Sequence, residues 1–138
     1  MPLVFEKEVT SVDIPGYRFI PRSDVFTTPR TTPENQCYCD DEPLCESIGD
    51  GMFAISKCQM DAPIVLSWPH FLHGDSILTE AVDGLTPPDV DNHSFILDIQ
   101  PEWGITLSAK ARFQFNVLVE PSQDWPWMAK VKDKVKTS

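Results

Sequence analysis

Four cysteines, Cys37, Cys39, Cys45 and Cys58, fall close together in the first half of the chain. Thiols grouped this tightly make either disulfides or a metal site. Zinc favours paired C-x₂₋₄-C knuckles, and here a C-x-C is followed by single cysteines with no second knuckle. Disulfides are the better reading, and they require an oxidising compartment. Cys39 and Cys45 form the natural short pair. Cys37 and Cys58 can then join each other or reach cysteines outside the chain. A second group, His70, His73 and Asp75, has the H-x-x-H-x-D spacing of a loop that could hold a metal through neutral imidazoles. The plainer reading packs His70 behind Trp68 and Pro69 and leaves His73 in water. There is no G-x-S-x-G, no H-E-x-x-H and no glycine-rich phosphate loop. We therefore expect no catalytic residue, no metal site and no cofactor. Asn92-His93-Ser94 is a sequon for N-glycosylation. Trp125-Pro126-Trp127, followed by Lys130, Lys132, Lys134 and Lys136, could lie at a lipid headgroup layer, or could simply cap a core edge.

The elements that would carry these groups are strands. From Ile105 to Glu120 every odd position is apolar (Ile105, Leu107, Ala109, Ala111, Phe113, Phe115, Val117, Val119), and Leu118 alone breaks the polar set between them. Side chains on a strand alternate between its faces, so the pattern predicts one long strand of roughly 50 Å with a dry face. Gln100-Pro101-Glu102-Trp103-Gly104 is punctuated as a turn, which makes Phe95–Ile99 the shorter arm of a hairpin. Upstream, Val4–Val12 and Tyr17–Ile20 read as strands around an Asp13-Ile14-Pro15-Gly16 turn, and residues 21–36 read as an irregular loop. Met52–Ile55 and Ala62–Trp68 are further strands. Asp75–Val82 fits one or two helical turns with Ser76 as N-cap. Thr86-Pro87-Pro88-Asp89 reads as a loop.

A chain of 138 residues is one domain by length. Its net charge of −10 is opposed to nucleic-acid binding. No apolar run approaches the roughly 20 residues of a membrane helix. The start, Met1 to Glu8, has neither the basic nor the apolar region of a signal peptide. That sits awkwardly beside clustered cysteines and a sequon, and points to a cytosolic protein or to part of a longer secreted or anchored one.

Several short motifs occur in a recognisable order. They are Cys37-Tyr38-Cys39, Cys45, Ile55-Ser56-Lys57-Cys58, Ala62-Pro63, Pro69-His70-Phe71-Leu72, Asp83-Gly84-Leu85-Thr86-Pro87, and Leu97-Asp98-Ile99-Gln100-Pro101 with Gly104. From about Val4 to Pro121 this order and spacing resembles the class B scavenger receptor family, which includes fatty-acid translocase, lysosomal integral membrane protein, croquemort and sensory neuron membrane protein. The C-x-C and the acidic Asp40-Asp41-Glu42 loop look more like the insect members.

The resemblance implies a mainly β fold: part of an irregular antiparallel β-barrel with a long hairpin and one or two short helices. Residues 1–138 would be a single segment of an ectodomain that is glycosylated, here at Asn92. The segment would lack both membrane anchors, the apical helical bundle and the final barrel strands. It would face the outside of the plasma membrane or the lysosomal lumen. The resemblance also implies a short Cys39–Cys45 bridge, with Cys37 and Cys58 bonded to upstream partners, unless they pair with each other. Its partners would be lipids or lipoprotein particles and cell or microbial surfaces, with no enzymatic activity. Leu107, Ala109, Ala111, Phe113, Phe115 and Val117 would form a tunnel or core wall. The competing expectations are a self-contained small secreted binding protein closed by two internal disulfides, and a metal-dependent enzyme built on His70, His73 and Asp75.

Overall fold

In a computed structural model, residues 1–39, 45 and 47–119 are described. They form two antiparallel sheets with a few short helices. The first sheet contains β1 (Leu3–Ser11), β2 (Ile14–Pro21), β5 (Ile96–Gln100) and β6 (Ile105–Lys110), in the order β1-β2-β5-β6. The second contains β3 (Met52–Ala54), β4 (Ile64–Ser67) and β7 (Gln114–Val117), in the order β3-β4-β7. The helices are α1 (Ser76–Glu80) and α2 (Val90–His93), with 3-10 turns at Pro33–Tyr38, Ser56–Gln59 and Pro69–Phe71. The mainly β class expected from sequence is present. Among the described residues the sheets are open and do not close into a barrel.

The long strand is the first correction. The run from Ile105 to Val119 is two strands, β6 and β7, in different sheets. β6 pairs with β5, and β7 pairs with β4. Ala111-Arg112-Phe113 carries the chain from one sheet to the other, a corner of the kind made where a strand switches sheets. The crossover is held by side chains. Arg112 donates to the Ser94 carbonyl at 2.9 Å, and the His70 backbone N–H donates to Gln114 Oε1 at 2.9 Å. Within β6 a register shift opposite Asp98 and Ile99 leaves Leu107 without a partner. Its Cδ1 lies 2.6 Å from where a Cβ on Gly16 would stand, so Gly16 is bare to let the bulge close over β2.

The first hairpin also turns elsewhere than expected. The turn is Val12–Asp13, both at positive φ (48° and 63°), while Pro15 and Gly16 lie inside β2 opposite Thr10 and Val9. Two left-handed residues match the right-handed twist of a two-residue hairpin, even though a β-branched residue is costly there. α1 starts as predicted, but Asp75 rather than Ser76 is its N-cap. α2 falls within the stretch just before the hairpin. Its N-cap is Asp89, whose carboxylate accepts from the Asn92 N–H at 2.8 Å.

The core is built on the second sheet, from the long loop, the turn after β4 and the residue before β5. Phe26, Trp68 and Leu72 are buried together, with Val25, Phe53, Leu66 and Phe95 packed around them. Trp68 stands 4.7 Å from Phe26 and stacks on Phe113 at 5.3 Å (ring centroids). The irregular 21–36 loop is tied down by Asp50, which accepts from the Thr28 N–H and hydroxyl (both 2.7 Å) and from Thr31 Oγ1 (2.5 Å). Burial works to raise the Asp50 pKa, but these hydrogen bonds and the charge of Arg30 outweigh it and leave it lowered. Beside it Gly51, at φ +99°, donates to the Phe26 carbonyl at 2.7 Å. A Cβ there would stand 2.3 Å from Gly74 Cα. Gly51→Ala is accordingly expected to cost about 2 kcal/mol or more, read as a lower urea midpoint with an unchanged m-value.

Candidate functional site

Two features of this architecture offer something to bind: an uncovered apolar face and a cleft. The face belongs to the second sheet. Leu66 is opposite Phe115 and Ile64 opposite Val117, so these four share one side with Phe53. At the Trp68 end this side is core. Toward β7 it is open: Phe115 is 70% exposed, Val117 67% and Val119 51%. The dry face expected from the alternation is therefore apolar but uncovered. The reverse side is buried and polar. Ser67 is fully buried there and accepts from Asn116 Nδ2 at 3.0 Å, while Gln114 Nε2 donates to Asn116 Oδ1 at 2.7 Å.

The proposed wall residues do not form one surface. Leu107 is diverted by the bulge onto Gly16, Ala109 is opposite Leu97 in the first sheet, and Ala111 lies in the crossover. Phe113 is drawn into the Trp68 stack. Only Phe115 and Val117 continue the apolar row of the second sheet. The first sheet has an open aromatic group of its own, in which Phe5 meets Tyr17 edge-on at 5.4 Å and Phe19 at 6.2 Å.

The cleft, of about 410 Å³, lies beside the core. Two of its walls come from the turn after β4 (Trp68, Leu72, His73) and from α2 and the residue before β5 (Val90, Ser94, Phe95), and residues 21–24 of the long loop line it too. Val4 and Ile20 of the first sheet line it as well. The turn carries three left-handed residues with side chains, His70 (φ 55°), Phe71 (54°) and His73 (63°), each unfavourable for an L-residue. Partial burial lowers the pKa of His73 below 6.5.

His70, His73 and Asp75 are not brought together around a common point. His70 Nδ1 lies 2.8 Å from the Thr86 carbonyl, and Asp75 Oδ2 accepts from the Asp50 N–H at 3.1 Å. Among the described residues, no three His, Cys, Asp or Glu side chains are grouped as metal ligands. Cys39 and Cys45 are disulfide-bonded, with Cα atoms 5.9 Å apart, and Cys45 is buried. Cys37 and Cys58 are exposed thiols not joined to each other. Asn92 is exposed on α2. Trp125, Pro126, Trp127 and the lysines after them lie outside the described residues.

Two arrangements had no sequence signal. The first is the ion pair of Arg18 and Asp98, direct neighbours on β2 and β5, where Nε and Nη2 reach the two carboxylate oxygens at 2.7 and 2.9 Å. The hydrogen bonds from Arg18 hold the Asp98 carboxyl below its ordinary 3.8 against the opposing effect of burial. The second is His93, which stacks on His70 at 4.1 Å. The pairs lie 80 and 23 positions apart, beyond any local pattern.

The described residues thus present apolar surface and a shallow cleft rather than a convergent set of reacting groups. Residues 1–136 match the model of the CD36 family, and the chain belongs to that family. It is 33% identical over 120 residues to scavenger receptor class B member 1 of Sus scrofa, covering 87% of this chain and 22% of that protein. With lysosome membrane protein 2 of Homo sapiens it shares 33% over 112 residues, 81% of this chain and 22% of that one. Sensory neuron membrane protein 1 of Antheraea polyphemus is 36% identical over 113 residues, 82% of this chain and 20% of that one. The chain spans about a fifth of the length of these curated relatives. By name they are a receptor and two membrane proteins. Among the described residues no helix is long and apolar enough to cross a membrane.

Proposed function

We propose that residues 1–138 are one segment of a class B scavenger receptor ectodomain, and that the segment forms part of the wall of an irregular β-barrel through which lipid is bound and passed on. The observation that carries this reading is the apolar row Leu66, Phe115, Ile64 and Val117, continuous with the Trp68 core at one end and uncovered at the other. An acyl chain needs only apolar area, at about 0.8 kcal/mol per buried methylene, and no fixed polar group. In this reading Phe115 and Val117 face the lipid path and Phe113 holds the path to the core. The parent protein is anchored in the membrane by segments outside this chain. It displays Asn92 as a glycosylated site on the extracellular or lysosomal side and takes lipids or lipoprotein particles as ligands. Recognition of apoptotic cells or microbes would use outward surfaces instead. No enzymatic step is assigned. Support for the reading comes from the family and from the open apolar row.

The test is displacement of a fluorescent fatty acid, and its transfer to acceptor vesicles, by the full-length protein. Phe115→Glu and Val117→Glu place a carboxylate on a surface that is exposed in this segment, so folding should survive. Each should weaken lipid binding at least about tenfold, because an acyl chain cannot cover a carboxylate without leaving it unsolvated. Folded variants with unchanged transfer would remove the wall from the lipid path.

A further inference from the structure

The two walls of the cleft come from distant parts of the chain, residues 68–73 and 90–95, and a pair of imidazoles joins them. His70, in the strained turn after β4, stacks on His93, the last residue of α2, with ring centroids 4.1 Å apart and planes 24° from parallel. Each ring is oriented by one backbone group. His93 Nδ1 lies 2.8 Å from the Asp89 N–H, a donor, so Nδ1 must keep its lone pair and the neutral ring carries its proton on Nε2. His70 Nδ1 lies 2.8 Å from the Thr86 carbonyl, an acceptor, so here Nδ1 carries the proton. Thr86 Oγ1 stands 3.0 Å from the same nitrogen. The geometry thus requires an unprotonated Nδ1 on His93 and a protonated Nδ1 on His70.

We propose that the His70–His93 stack is an acid-released latch, which holds the two walls of the cleft together at neutral pH and lets α2 swing away from the β4 turn when His93 is protonated. A proton on His93 Nδ1 occupies the lone pair that accepts from Asp89, so the N–H···N bond closing α2 onto its own N-cap is lost. His93 is therefore the sensor, and His70 is the ring it rests on.

Asp89 and Asp91 flank His93 on its own helix, Arg112 comes from the crossover, and His70 comes from the β4 turn. Burial, the neighbouring His70 and Arg112 disfavour the imidazolium, and together they outweigh Asp89, which favours it. The folded-state pKa thus lies below the ordinary 6.5. The latch's contribution is complete above that value and is lost as the pH falls from 6.5 through the lowered one. Release loosens α2, with Val90, from the β4 turn on one side of the cleft, while Phe95 stays packed on the core and the Ser94 carbonyl stays bonded to Arg112.

Amide hydrogen exchange by NMR on the full chain at pH 7 and pH 5, corrected for intrinsic rates, tests the latch. Asp89 and residues 90–94 should lose about tenfold in protection at pH 5, while Leu97 and Ile99 in β5 keep theirs. His93→Gln supplies an amide oxygen that can accept from the Asp89 N–H without titrating, and it preserves the sequon. In that variant protection of 89–94 should be equal at the two pH values. The latch is overturned by any of three results: the same acid loosening in His93→Gln, imidazole ¹⁵N shifts that place the neutral His93 proton on Nδ1, or β5 amides that lose protection in step with α2.

Discussion

Trp68→Ala should lower the stability of the folded chain by about 3–5 kcal/mol, the range for removing a buried large aromatic. Trp68 is 2% exposed and contacts three parts of the molecule at once: Phe26 from the long loop, Phe113 from the crossover, and Leu72 in its own turn. The indole packs the second sheet against the long loop and against the crossover that leads in from the first sheet. Its loss should therefore act on the whole cooperative unit, and circular dichroism and β5 amide protection should report the same midpoint shift. A variant in which the first sheet keeps its midpoint while the second melts would show that the two sheets are separate folding units. Trp68→Phe retains a ring to meet Phe113 and should recover more than half of the loss, because the transfer and cavity terms both scale with the volume removed.

Arg18→Met should come second in size. Asp98 is 3% exposed, and among the described residues Arg18 is the one cation that meets both of its oxygens. Removing the partner leaves a carboxylate in the middle of the first sheet. Breaking a buried pair in this way costs about 3–5 kcal/mol when no water can enter. The Arg18 side chain is 24% exposed, so solvent can reach the site and about 2–3 kcal/mol is the better expectation. The pH dependence separates this from a packing loss. In the native protein the Asp98 pKa is depressed by the hydrogen bonds from Arg18, so the pair's contribution is present above the ordinary 3.8 and is lost as the pH falls through the lowered value. In Arg18→Met the carboxyl loses the hydrogen bonds that hold it ionised, and burial is then opposed only by the more distant charges of Lys110 and Lys7. The gap between variant and native protein, measured by urea unfolding, should narrow from pH 7 to pH 3. A constant gap would assign the effect to the lost aliphatic stem of Arg18.

How far these features can be read from the chain depends on whether the deciding contact is local. β3, β4, α1 and the β5–β6 hairpin are legible because each is bounded by its own punctuation: Gly49 and Gly51 before β3, Pro63 and Pro69 around β4, Gly84 after α1, and Pro101 and Gly104 between β5 and β6. The first turn is not, because Pro15 and Gly16 signal a turn locally, while pairing with β1 and the approach of Leu107 over Gly16 decide the matter from afar. The alternation of 105–119 is kept as two unlike faces in β7, while the register shift at Leu107 breaks it in β6. A period of two records that a strand has two unlike faces, but not which neighbour it joins or which face is covered. The crossover at 111–113 is set by Arg112 reaching Ser94 and by Gln114 receiving the His70 N–H, and neither leaves a trace in the spacing. The same holds for the candidate site. The grouped cysteines and the sequon are visible as motifs, whereas the cleft, the Arg18–Asp98 pair and the His70–His93 stack exist only once distant segments meet.

The order β1-β2-β5-β6 has a consequence for how the chain is made. The centre of the first sheet joins Tyr17, Arg18 and Phe19 to Ile99, Asp98 and Leu97, and the second joins β4 to β7. During synthesis the β1–β2 hairpin emerges with Phe5, Tyr17 and Phe19 bare and waits for β5. At roughly 5–20 residues per second that wait lasts several seconds. The Cys39–Cys45 bridge spans six positions and can close meanwhile. Oxidation of this loop can thus precede tertiary structure, and the nascent chain passes through an interval in which an aromatic hairpin and an unpaired strand edge are offered to chaperones, or to other nascent chains.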